Sequence, residues 1–130
     1  MERTSRIVCA GLALILGINA VVQMAQPFWW YNAVPGVPAT GPYNPHFVKD
    51  IGAAYLAAVL GLAWFAARPR QGWPALVAGG LFLGLHAGVH VFDASCSADP
   101  VRDLVRDFPG VFLPAIAAIL VAVVFRPKEA

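Results

Sequence analysis

Charge is scarce in this chain. Of its 130 residues only 12% are Asp, Glu, Lys or Arg, whereas 59% are hydrophobic. That ratio excludes an ordinary water-soluble domain of this size, which carries about 25% charged residues. A net charge of +2 is too small and too scattered for a nucleic-acid surface. Cysteine is scarce too, with only Cys9 and Cys96, so neither a disulfide framework nor a thiolate zinc site is available. No phosphate-binding glycine loop, low-complexity tail or internal repeat is found.

Long uncharged runs are what the sequence does contain. They extend over residues 7–48, 51–67, 71–92 and 108–125, the first broken by a Pro/Gly-rich stretch. A helix needs about 20 residues to cross the ~30 Å of hydrocarbon in a bilayer. Four spans follow, at about residues 7–24, 47–67, 74–92 and 109–125. The fold class expected is all-α, a four-helix transmembrane bundle forming one integral membrane domain. The run after Arg3 and Arg6 lacks a small-residue cleavage site, so it reads as a retained helix rather than a signal peptide.

Basic residues are distributed unequally between the two ends. Arg3, Arg6, Arg68, Arg70, Arg126 and Lys128 fall on one side. Lys49, Arg102 and Arg106 fall on the other, outnumbered by Asp50, Asp93, Asp99, Asp103 and Asp107. Cytoplasmic flanks carry the Lys/Arg excess, which places both termini in the cytoplasm. Cys9 and Cys96 then sit about one membrane thickness apart, too far for a disulfide.

Between the first two spans, Phe28-Trp29-Trp30-Tyr31 precedes Pro35, Pro38, Pro42 and Pro45. Aromatic residues settle at the headgroup level and repeated prolines stiffen the backbone, so this outer loop reads as an ordered cap. Asn44-Pro45 supplies a cap and a first-turn proline for the second span, and Asp99-Pro100 repeats the device. The third span is read as starting at Trp73-Pro74, with Gly80, Gly84 and Gly88 as a helix-packing ridge. Val101, Leu104, Val105 and Phe108 alternate with Arg102, Asp103, Arg106 and Asp107. This spacing describes a short interfacial amphipathic helix, its charged face solvated.

Ionisable groups near hydrocarbon are expensive and usually face a bundle interior. His86 and His90, four residues apart, share a helical face that Asp93 extends; His46 and Asp50 share another at comparable depth. Together these three nitrogen and two carboxylate donors form the candidate metal site, suited to Zn, Fe, Mn or Cu. Asn19 and Gln23, also four apart, or alternatively Asp50, are placed to fix histidine tautomers. The His86/His90 pair lacks the internal Glu of a zinc-protease helix, and no particular reaction follows from it. Two other readings stay open. A haem, held by His46 with His86 or His90, or a quinone or proton relay using Asp50 and a histidine, would make this a redox protein. A glycine ridge and an aromatic loop would instead suit an accessory or scaffold subunit of a membrane complex or a homo-oligomer. The bilayer is the partner common to all of them.

The runs Pro35-Gly36-Val37, Thr40-Gly41-Pro42-Tyr43-Asn44-Pro45-His46-Phe47 and Asp50-Ile51-Gly52-Ala53-Ala54-Tyr55 resemble a pattern in small bacterial four-helix membrane proteins similar to the DoxX-like group. The likeness covers about a quarter of the chain. It implies four spans in a bacterial inner membrane and assigns no catalytic residue.

Overall fold

A computed structural model describes residues 2–126 and is helical nearly throughout, with no strand among them. Helix α1 (Glu2–Ala25) is followed by the short α2 (Pro27–Ala33), a 3-10 turn at Val37–Thr40, α3 (Pro45–Ala67) and α4 (Pro69–Ser95). The chain ends in α5 (Pro100–Asp107), a π-helical turn at Phe108–Phe112 and α6 (Leu113–Val124). Four helical stretches, α1, α3, α4 and Pro100–Val124, are long and apolar enough to cross a membrane. Lys128 lies outside the described residues.

Each long helix packs on the next: α1 on α3, α3 on α4, and α4 on α6, which also touches α1. Leu16, Ala20, Tyr55, Leu62, Phe65, Leu76, Leu83 and Ala118 meet in the core. Many of the large apolar side chains, including Ile15, Leu60, Leu81, Leu85 and Val123, instead point outward. Continuous apolar surface on this scale is unstable in water and ordinary against lipid, so this is a membrane protein.

Small residues set the helix spacing. A Cβ on Gly61 would collide with the backbone of Ala75, and one on Gly79 would come within 3.1 Å of the Ala58 carbonyl oxygen. The expected glycine ridge is divided differently. Gly79 faces α3, Gly80 and Gly84 face α6, and Gly88 has nothing within 4 Å. Successive residues are rotated by about 100° on a helix, so adjacent glycines serve different neighbours.

Both ends of the bundle are tied. At the arginine-bearing end Arg6 Nε donates to the Ala66 carbonyl at 2.8 Å, Trp73 Nε1 donates to the Ala122 carbonyl at 2.8 Å, and Phe65 meets Phe125 edge-on. Helix α4 starts at Pro69 rather than at Trp73, with Pro74 inside it. Pro69 takes the first helical position, where its missing N–H is harmless. Gly72, tight against the backbone of Phe65, lets the α3–α4 hairpin turn through the single residue Arg68.

At the opposite end, the segment expected to be loop at Phe28-Trp29-Trp30-Tyr31 is helical, as α2. Pro27 starts it, and Trp30 Nε1 anchors it by donating to Asn19 Oδ1 at 2.8 Å. Tyr31 donates to the Gly41 carbonyl at 2.6 Å and packs with Phe28 around Tyr43. Asn44 caps α3 as expected, its Oδ1 accepting from the backbone of His46 at 3.0 Å. Asp99 caps α5 in the same way through Arg102 N–H at 3.1 Å. Beyond α5, Leu113 N–H reaches back five residues to the Phe108 carbonyl. The prolines at 109 and 114 lack the N–H groups a regular helix would use there, so the ladder widens into a π turn.

Candidate functional site

Helix α4 presents Phe82, His86 and His90 at four-residue intervals, so the three rings lie along one face. The His86 ring stacks on Phe82 at 5.9 Å and meets the buried Tyr55 of α3 edge-on at 5.5 Å. His90 lies about one turn nearer the loop end, its ring 4.8 Å from that of His86. Its Nδ1 is 2.7 Å from Asp107 Oδ2, with side-chain exposures of 29% and 10%.

Asp107 is doubly held. Arg106 Nε donates to its Oδ1 at 2.7 Å and Arg106 Nη2 to its Oδ2 at 3.1 Å. Arg106 Nη1 donates to Asp103 Oδ1 at 2.6 Å. Burial opposes charge on Asp107, but hydrogen bonds from Arg106 and His90 outweigh it and hold the carboxyl below its ordinary range. Gly36, at φ +88°, lies over this group; a Cβ there would strike the Arg106 guanidinium. The proline-rich loop is thereby seated on the charged cluster.

The formal charge of the cluster is informative. Two carboxylates, Asp103 and Asp107, and one guanidinium, Arg106, sum to −1. His90 is the histidine that meets this residual negative charge, through Asp107. With Asp107 accepting from Nδ1–H, the neutral His90 tautomer leaves Nε2 as its basic nitrogen.

The five side chains expected to converge are distributed over separate places. His86 and His90 are together on α4. His46 and Asp50 pair with each other on α3 at 3.3 Å, but are exposed by 81% and 59%. Asp93 is exposed near the end of α4. Among the described residues no three His, Cys, Asp or Glu side chains gather closely enough to hold a metal ion. Asn19 is engaged by Trp30, whereas Gln23 is fully buried with neither amide atom hydrogen-bonded. Cys9 and Cys96 are both free.

Asp107 is the member of this cluster that sequence reasoning missed, because its helix was expected to present its charged face to water. Helix α5 instead turns Asp103, Leu104 and Asp107 inward and leaves Val101, Val105 and Phe108 exposed. The available signal was positional: Asp103 and Asp107, four residues apart, flank Leu104 on one side of the wheel.

Comparison with family models, with curated proteins and with solved structures returns no match. The chemistry of the site therefore rests on its own atoms.

Proposed function

We propose that this is a bacterial inner-membrane protein with cytoplasmic termini, in which His90 and His86, with Asp107 as the counter-ion of His90, relay protons between the periplasmic surface and a membrane-soluble redox or transport partner. The arginine bias supports the orientation, and the likeness of the first loop to bacterial four-helix proteins supports the compartment. The observation that carries the relay is the 2.7 Å contact of His90 with Asp107, continued inward by the His86 ring. A proton taken by Nε2 of neutral His90 makes an imidazolium that Asp107 stabilises. His86, about 6 Å deeper by helical rise, is the next acceptor. Beyond it the spans carry no Asp, Glu, Lys, Arg or His before the arginine-bearing end, so the path opens to one side only. Such a half-path suits delivery or removal of protons at a ligand such as a quinone, rather than conduction across the bilayer.

The test is nitrogen NMR on histidine-labelled protein in lipid nanodiscs. His90 is expected as a fixed Nδ1–H tautomer, and Asp107→Ala, which removes the acceptor, should release it to a mixture of tautomers. An unchanged tautomer in that variant would refute the relay. A second reading, a transition metal on the His86/His90 pair, is favoured by the proximity of their rings, with water or a ligand completing the shell. Near-stoichiometric metal in the same preparation, lost in the His86→Ala/His90→Ala protein, would select it.

A further inference from the structure

An apolar groove of about 630 Å³ runs between α4 and α6 at the arginine-bearing half of the bundle. It is independent of the histidine site. Trp73, Val77, Gly80 and Gly84 line it from α4, Ile119 from α6, and Arg126 closes its end. Gly80 and Gly84 let α6 come close, a Cβ on Gly84 standing 3.1 Å from Ile119 Cδ1, so the groove is left between this contact and the outward side chains Val77, Leu81 and Leu85.

Lining residues on α4 run from Trp73 to Leu85, about 18 Å at a rise of ~1.5 Å per residue. That is close to the depth of one leaflet of a ~30 Å hydrocarbon core, which an acyl chain of that leaflet matches. The walls are almost wholly apolar, and the one charge, on Arg126, stands where the groove reaches the membrane surface beside Trp73, a residue type typical of that level. Guanidinium complements phosphate.

We infer that this groove is a binding site for one anionic phospholipid of the surrounding bilayer, an acyl chain lying along Val77, Leu81 and Leu85 and the phosphate on Arg126. Chain burial supplies the affinity and Arg126 the choice of headgroup.

Native mass spectrometry of the full-length protein, titrated with palmitoyl-oleoyl phosphatidylglycerol and separately with the phosphatidylcholine of the same chains, tests this. The wild type should retain one phosphatidylglycerol with about fivefold preference over phosphatidylcholine. Val77→Trp, which fills the slot from an exposed position, should reduce retention of both lipids at least tenfold with the thermal midpoint unchanged. Arg126→Gln should abolish the preference while a lipid is still retained. Equal retention by wild type and Val77→Trp, an undiminished preference in Arg126→Gln, or a dimer that Val77→Trp dissociates would each overturn the assignment.

Discussion

Asp107 joins a surface helix to a membrane helix through two partners of different kinds. Arg106 holds it through both oxygens and His90 through one. Replacing it with Asn keeps the shape but removes the charge that the guanidinium and a protonated histidine require. Breaking a hydrogen bond to a charged group costs about 1.5–3 kcal/mol, so Asp107→Asn should lower the unfolding free energy in detergent by about 1–3 kcal/mol. The pH dependence has a definite sign. Because the folded carboxyl ionises below its ordinary range, its stabilisation is complete above that range and is lost as pH falls through the folded value. Wild-type thermal midpoints should therefore drop on acidification by more than those of Asp107→Asn. Parallel acid profiles for the two proteins would show that Asp107 contributes no such linkage.

Between helices, the glycines divide into those whose hydrogen touches a neighbour's backbone and those that do not. Gly61 is of the first kind, set against Ala75, and Gly88 of the second. Overpacking a tight contact typically costs ~1–3 kcal/mol, whereas alanine in an open helix interior gains up to about 1 kcal/mol over glycine. Gly61→Ala should thus destabilise the protein by about 1–3 kcal/mol, and Gly88→Ala should be neutral or mildly stabilising, as read from detergent unfolding. Similar losses in both would mean that α4 is packed along Gly88 by something other than this chain. The same logic explains why a single row of glycines at four-residue spacing was misleading. Spacing shows which residues share a face, while the positions of α3 and α6 decide which face is covered.

For the whole molecule, the segregation of charge between two ends turns orientation into an experiment. One end carries Arg3, Arg6, Arg68, Arg70 and Arg126; the other carries the Pro/aromatic cap, the α4–α5 turn with exposed Cys96, and α5. A membrane-impermeant maleimide applied to intact spheroplasts should label Cys96 and spare the buried Cys9. A cysteine introduced as Arg70→Cys in a Cys96→Ser background should react only after the membrane is opened. Labelling in the reverse order would invert the topology, and with it the side on which the proposed relay opens.

Composition and the spacing of apolar runs were sufficient for an all-α membrane protein with four spans, because crossing hydrocarbon demands continuous apolar helix whatever its neighbours are. Asn44-Pro45 and Asp99-Pro100 were equally legible, since a cap is satisfied within three residues of itself. The pairing of His86 with His90 was likewise a property of one helix. Tertiary structure alone decided which carboxylate reaches them. Asp93 is three residues from His90 and exposed, whereas Asp107, beyond an intervening turn, is brought to 2.7 Å from His90. Contacts between elements depend on how each helix is rotated against the next, and that rotation is set jointly by glycine approaches such as Gly79 on Ala58, by the π turn that prolines 109 and 114 impose, and by the cap seated on Arg106. No local pattern encodes such a sum of distant contacts.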